Sequence, residues 1–196
     1  MYDTTTLKVL RQIYVNPGIH KREISRKIRL TMPSVDNSLK KISGIVKMQK
    51  SGNQIKFYVN YSKESLIPAL SEVEYLRLEE LPSKVKIAVK SFIQELKEKP
   101  LIALIFGSYA RGNYTPNSDI DILLVFQKQA DSSGIERTAK KISMNTNTKI
   151  SPVYLDYDSF KMSFHDSTKE FFRNIKKESI IVIGMEWWGQ LKHEEA

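Results

Sequence analysis

Two short, strongly apolar runs, Leu101–Phe106 and Ile120–Phe126, flank a polar segment that is rich in turn-forming residues. Short apolar runs bounded by glycine, asparagine and proline are typical of buried strands. Both runs are too short to cross a bilayer. The segment from Gly107 to Asp121 reads GSYARGNYTPNSDID. The chain is therefore expected to fold around two buried strands that this polar segment connects.

The polar segment places two kinds of ligand-binding residue close together in the chain. Gly107 and Ser108 directly follow the first run, where a glycine allows close approach of the backbone to a phosphate and a hydroxyl can donate to it. Asp119 and Asp121 are two apart, so on a strand their carboxylates project from the same face. Adjacent carboxylates repel each other unless a cation lies between them, and Mg²⁺ would also bind nucleotide phosphates. The pattern predicts a phosphate and metal site.

The order of these residues resembles the signature of the DNA polymerase beta-like nucleotidyltransferase superfamily, especially its minimal prokaryotic members. The resemblance covers roughly residues 83–184. It implies a nucleoside triphosphate as substrate or ligand and Mg²⁺ as cofactor. The two acids would hold the metal and act in catalysis, the glycine and serine would hold the triphosphate, and the arginine would brace the loop or approach the phosphates. These residues are Asp119 and Asp121, Gly107 and Ser108, and Arg111.

The third acid of this superfamily is where the sequence departs from the pattern. Active members carry a carboxylate on a later strand that helps to activate the attacking hydroxyl. In this chain that strand is Ile150–Leu155, and the acid's position falls near Ser151, which cannot accept a proton at neutral pH. Asp156 and Asp158 lie just beyond it. Asp156 is therefore a candidate catalytic residue, and the alternative is that both acids form a turn and helix cap before Phe160.

The pattern after residue 100 alternates between strands and helices. Besides the two apolar runs, it predicts helices at Ile135–Met144 and Glu170–Lys177 and strands at Ile150–Leu155 and Ile180–Ile183. Such alternation predicts an α/β or α+β domain with a mixed sheet, which is assigned to residues 83–196.

The excess positive charge lies in the first third of the chain. Residues 1–61 contain 12 Lys and Arg against 3 Asp and Glu, and the rest of the chain contains 19 of each kind. The whole net charge of +9 therefore belongs to residues 1–61. An asymmetry of this kind suggests a polyanionic partner for one part of a chain.

The basic segment is predicted to hold three short helices followed by a β-hairpin. Apolar residues recur at helical spacing in three stretches, which end at Gly18, Leu30 and Gly44. Two strands follow, with a turn at residues 51–54 between them. This order within residues 1–61 resembles the winged helix-turn-helix family, which implies double-stranded DNA as the partner.

By analogy with that family, the third helix enters the major groove and the hairpin contacts phosphates or the minor groove. Lysines bind phosphates, and asparagine and serine can reach base edges. The candidates taken as exposed on the third helix are Ser34, Asn37, Ser38, Lys40 and Lys41, and those on the hairpin are Lys47, Lys50 and Lys56. A winged helix that contacts only protein is the alternative.

Residues 62–82 are predicted to form a linker helix. Leu66, Leu70 and Val73 recur at helical spacing and could pair with a second subunit, which gives a homodimer. The chain has no cysteine, and its first residues lack the apolar core of a signal peptide. A cytoplasmic protein without membrane association is therefore expected.

Two functions from different classes follow from these patterns. In the first, the protein transfers a nucleoside monophosphate from a nucleoside triphosphate to an acceptor hydroxyl. In the second, it is a transcriptional regulator whose second domain binds a nucleotide or a partner without catalysis, and Ser151 favours this reading. Minimal members of the superfamily often partner a small helical toxin protein, so the resemblance also implies an antitoxin role.

Overall fold

The computed structural model describes residues 2–195, which divide into two compact units. The first unit comprises residues 2–73 with Lys192–Glu194, and the second comprises Glu74–Leu191 with Glu195. Among the described residues, none of the helices combines the length and apolar character that a membrane span requires.

The first unit contains three helices and a small antiparallel sheet. Asp3 caps the first helix by accepting a hydrogen bond from the Thr6 amide at 3.0 Å, and Thr31 caps the third by accepting from the Ser34 amide at 3.4 Å. The sheet has the order β1-β3-β2, and the sequence patterns missed its two-residue strand β1. The elements are α1 (Thr4–Val15), β1 (Ile19–His20), α2 (Lys21–Ile28), α3 (Met32–Lys41), β2 (Val46–Ser51) and β3 (Gln54–Val59).

The helix α4 (Leu66–Glu79) follows the hairpin. Its apolar residues Leu66, Leu70 and Val73 are buried within the chain itself. The stripe that the sequence offers to a second subunit is therefore already covered, and a homodimer would need another surface. From Glu74 onward the helix belongs to the second unit.

The second unit is built on a four-stranded mixed sheet with the order β6-β5-β4-β7. Strands β5 and β6 are parallel, and the other two pairs are antiparallel. The predicted mixed sheet is thus confirmed. The sequence patterns missed the helix α10, whereas α8 agrees with the helix cap given as the alternative for Asp156 and Asp158. The elements are α5 (Ser83–Glu95), β4 (Ile102–Phe106), α6 (Gly107–Arg111), β5 (Ile120–Phe126), α7 (Ser132–Thr146), β6 (Ile150–Asp156), α8 (Tyr157–His165), α9 (Glu170–Glu178), β7 (Ile180–Ile183) and α10 (Met185–Glu194).

Both faces of β5 are buried, but by different partners. Ile120, Ile122 and Leu124 join the core that α5 and α7 build on one face. Because side chains alternate along a strand, Asp121 shares the other face with Leu123, which is also buried. The carboxylate therefore lies at the start of a strand face that is otherwise apolar.

A buried ion pair connects α4 to the chain around β7. The side chains of Glu74 and Arg77 are only 2% and 8% exposed and approach to 2.8 Å. Arg77 also donates to the carbonyls of Ser179 at 2.8 Å and Glu178 at 3.2 Å. Glu74 accepts from the Ile181 amide at 3.2 Å. The pair thereby satisfies backbone groups at the start of β7, where an unpaired buried polar group would be costly.

Candidate functional site

Gly107 makes the turn between β4 and α6, and its geometry disfavours any residue with a Cβ. Its φ of +69° lies in the left-handed region that side chains with a Cβ rarely adopt. A Cβ at this position would overlap the Asp121 carboxylate. Phe106 and Asp121 are register partners on the adjacent strands β4 and β5. The turn thus places the backbone of Gly107 directly against the second acid of the pair.

Asp119 and Asp121 lie where β5 begins, and neither is fully exposed. Partial burial raises the pKa of Asp121, and the negative charge of Asp119 raises it further. The positive charges of Arg111 and Lys149 act in the opposite direction on the same pKa. The two carboxylates therefore form an electrostatically unfavourable pair that a cation would stabilise.

The neighbouring strand β6 presents hydrogen-bond donors to this pair. Ser151 is the register partner of Asp121, and its hydroxyl donates to Asp119 Oδ2 at 3.2 Å. The Lys149 ammonium donates to the same oxygen at 2.5 Å. Within residues 2–195, no cluster of three His, Cys, Asp or Glu side chains is arranged to hold a metal ion. The residue of β6 that pairs with Asp121 is a serine, at the position where the superfamily pattern has its third acid.

Asp156 does not reach the pair, and its prediction as a catalytic residue was wrong. It is the register partner of Phe126, five residues beyond Ser151 on β6, which is about 17 Å along the strand. Its carboxylate caps α8 by accepting from the Ser159 amide at 2.9 Å. Hydrogen bonds from the amide and hydroxyl of Ser159 lower the pKa of Asp156. The alternative interpretation, a helix cap, agrees with this geometry.

Arg111 and Ser108 both lie on the short helix α6. The exposed Arg111 guanidinium is 3.5 Å from a carboxylate oxygen of Glu178 on α9. The Ser108 hydroxyl makes no hydrogen bond with any residue in the described part of the chain. The loop after α6 is braced by stacking of Tyr109 on Tyr114, whose ring centroids are 4.6 Å apart. Ser108 directly follows Gly107, which adjoins Asp121, and its hydroxyl is available to a ligand.

The chemistry of this donor set fits Mg²⁺. Mg²⁺ in proteins is usually bound by one or two carboxylates together with water and substrate phosphates, and it does not require a closed protein cage. Asp119 and Asp121, at the start of β5 beside the Gly107 turn, supply two such carboxylates.

Ser38 is the one DNA-binding candidate that the structure contradicts. It is only 3% exposed. It lies three residues after Val35 and four before Ile42, so all three share the inward face of α3. The prediction that Ser38 is exposed was therefore wrong.

The other candidates of the basic segment remain accessible. Asn37, Lys40, Lys41, Lys47 and Lys50 are exposed, and Ser34 and Lys56 are half-buried. Lys41 is paired with the Asp3 carboxylate at 2.8 Å, and this pairing contributes most to lowering the pKa of Asp3. An open groove lies between α3 and the hairpin, and the exposed apolar residues Met48 and Ile55 line its hairpin side. The sequence patterns did not single out these two residues.

Comparison with known proteins gives the second unit a family. A family model described as polymerase beta nucleotidyltransferase matches residues 88–185, which is half of the chain. Two proteins of Methanocaldococcus jannaschii, both named as candidate protein adenylyltransferases, are similar to part of the chain. One is 32% identical over 79 residues, which cover 39% of this chain and 79% of the relative. The other is 31% identical over 99 residues, which cover 48% of this chain and 94% of the relative.

A solved structure is similar at lower identity. It is a crystal structure described as a toxin-antitoxin with AMP-PNP, and it is 18% identical, with a TM-score of 0.43 over 58% of this chain and 83% of the other. A likeness of that size decides nothing about function. The family match and the two relatives are sufficient by themselves, and this chain belongs to the polymerase beta nucleotidyltransferase family.

Proposed function

We propose that the second unit transfers a nucleoside monophosphate from a nucleoside triphosphate to an acceptor hydroxyl, which breaks the bond between the α- and β-phosphates and releases pyrophosphate and the hydroxyl proton. The observation that carries this proposal is the contact between the Gly107 turn and the Asp119–Asp121 pair. A phosphate bound at this turn would lie beside the two carboxylates. In this proposal Asp119 and Asp121 hold Mg²⁺, and Gly107 and Ser108 hold the triphosphate.

Each residue of the site has a separate task in this reaction. The Ser108 hydroxyl donates to a phosphate oxygen, and the absence of a Cβ at Gly107 lets the backbone approach the phosphates. Arg111 adds a positive charge close to Asp121. When bound, Mg²⁺ neutralises phosphate charge and polarises a phosphoryl oxygen. Among residues 2–195, no third carboxylate adjoins the pair to accept the acceptor's proton, so we expect slow transfer.

We further propose that the nucleotide is ATP and that the acceptor is a hydroxyl on a protein. The support is the name of the two relatives, which describes protein adenylyltransferases. A small helical toxin protein is the acceptor that the minimal members of the superfamily suggest. The protein would then act as an antitoxin that modifies or binds this partner.

The first prediction tests the transfer. Incubation of the protein with Mg²⁺, ATP labelled at the α-phosphate and candidate protein acceptors is expected to label an acceptor. Asp119→Asn and Asp121→Asn should reduce the label to the background without protein, because each removes a metal-binding charge. Asp158→Asn serves as the matched control, since Asp158 is an exposed carboxylate of the same unit. Gel autoradiography and mass spectrometry of the acceptor measure the result. Undiminished labelling by both variants would contradict the proposal.

A transcriptional regulator without catalysis is the second candidate function. The observation that favours it is Ser151, a serine level with Asp121 on the neighbouring strand. Measurable binding of ATP with Mg²⁺, combined with no label on any protein or nucleic acid, would support this candidate and exclude the enzyme.

We also propose that the first unit is a winged helix that binds double-stranded DNA. Three helices, a β-hairpin and the whole net charge of the chain occur together in this segment. In this proposal the exposed Asn37 and Lys40 contact bases and phosphates from α3, and the exposed Lys47 and Lys50 contact phosphates from the hairpin. Ser38 is excluded because it is buried.

The second prediction concerns the salt dependence of this binding. A plot of the logarithm of affinity against the logarithm of salt concentration should fall steeply, because lysines that bind phosphates release counterions. The double variant Lys47→Ala, Lys50→Ala should lower the slope by about 2. Lys97→Ala, an exposed lysine of the second unit, is the control that should leave the slope unchanged. Fluorescence anisotropy with labelled duplex DNA measures these slopes, and affinity that is independent of salt would refute the proposal.

A further inference from the structure

The Lys149 ammonium is bonded to a carboxylate oxygen of Asp119 that a metal ion would need. The ammonium is 2.5 Å from Asp119 Oδ2, and the Ser151 hydroxyl donates to the same oxygen. Lys149 directly precedes β6, and its carbonyl accepts from the Ile120 amide at 2.8 Å. The backbone of Lys149 is thus fixed beside the start of β5, so the ion pair with Asp119 follows from the strand register.

The pair is held in place but is not buried. The Lys149 side chain is 70% exposed and the Asp119 side chain is 35% exposed. The hydrogen bond to Asp119 raises the pKa of Lys149, with a smaller contribution from the charge of Asp121. A lysine ammonium carries its charge at neutral pH, and this one is bonded to Asp119. Because exposed ion pairs contribute little free energy, a divalent cation could displace the ammonium at low cost.

We propose that Lys149 is a built-in counter-ion that competes with the divalent cation for Asp119 and, once displaced, binds the phosphates of the nucleotide. This inference rests on the proposed function in one respect, namely that a nucleoside triphosphate occupies the Gly107–Ser108 turn.

The displaced ammonium needs a new anionic partner close to its first one. A metal ion held by Asp119 and Asp121 would also bind the nucleotide phosphates. These phosphates would then lie close to Lys149. A lysine is a compact charge on a flexible stem and a common phosphate ligand. Metal and nucleotide would therefore bind cooperatively, because the nucleotide offers Lys149 a replacement for the carboxylate that the metal takes.

The test measures binding and not catalysis. Mn²⁺ serves as the probe for the metal, and the free ion is measured by electron paramagnetic resonance without nucleotide. The variant Lys149→Met is expected to bind Mn²⁺ about threefold more tightly than the wild-type protein, since the competing charge is gone. Lys141→Met is the matched control, because Lys141 forms a similarly exposed ion pair with Glu95 at 2.7 Å in the same unit. This control should bind Mn²⁺ like the wild-type protein.

The second arm uses AMP-PNP at saturating Mn²⁺, measured by calorimetry. Here Lys149→Met should bind more weakly than the wild-type protein, and Lys149→Arg should retain most of the affinity. A higher affinity for Mn²⁺ together with a lower affinity for AMP-PNP is a combination that a general loss of structure does not produce. If the wild-type protein binds both probes and Lys149→Met matches it in either arm, the inference is wrong while the proposed function survives. If neither protein binds Mn²⁺ or AMP-PNP, both are wrong.

Discussion

Ser151→Asp is expected to raise the rate of nucleotide transfer about a hundredfold, because a positioned general base contributes at least that much to proton transfer. Ser151 is level with Asp121 and directs its hydroxyl at Asp119. A carboxylate there would lie beside the two acids and could accept the proton of the attacking hydroxyl. The rate is measured as label transferred from ATP at saturating Mg²⁺ and saturating acceptor.

The controls distinguish the effect of a general base on the transfer rate from the effect of a change in packing. Ser151→Asn has the size of the aspartate variant but no charge, and it should not raise the rate. Because Lys149 could pair with a carboxylate introduced at this position, the aspartate variant is also made together with Lys149→Met. A variant that binds Mg²⁺ and ATP normally, yet transfers no faster than the wild-type protein in either background, would show that a missing base does not limit this site.

Arg77→Met is expected to lower the free energy of unfolding of the second unit by about 3–5 kcal/mol. The substitution removes the Arg77 guanidinium from the Glu74 carboxylate, which is 2% exposed. It also removes the donor to the carbonyls of Ser179 and Glu178. Both tryptophans of the chain, Trp187 and Trp188, belong to the second unit. Tryptophan fluorescence during urea titration of the full chain therefore reports the unfolding of this unit.

Two comparisons make this prediction specific to the buried pair. The double variant Glu74→Gln, Arg77→Met should lose less stability than the single variant, since it buries no uncompensated charge while an amide oxygen remains for the Ile181 amide. Lys141→Met breaks an exposed pair and should change the free energy of unfolding by less than about 1 kcal/mol. Equal losses for the exposed pair and the buried pair would contradict the assignment.

The candidate site could be predicted from the sequence because its signals are local. A glycine and a serine after one apolar run, and two acids two apart before the next, determine both the turn and the shared face of the carboxylates. The final strand Ile180–Ile183 was likewise predicted with the bounds that the structure has. In each of these segments the pattern and the burial coincide.

The remaining features depend on contacts between distant parts of the chain. The partners of Arg77 at Glu178 and Ser179 are about one hundred residues away, and no pattern around residues 62–82 indicates that they meet. The contact of Lys149 with Asp119 depends on the register between β5 and β6. Ser38 was wrongly placed because the buried face of a short helix with few apolar residues can include a small polar side chain, which the apolar pattern does not mark.

The position of β6 at the end of the strand order bears on how large an acceptor can be. No strand of the second unit pairs with the outer side of β6 in the described residues, and Lys149 beside it is mostly exposed. Asp119 lies beside this edge strand, and its side chain is 35% exposed. A hydroxyl that is still attached to the surface of a folded macromolecule could therefore approach Asp119 from the side of β6.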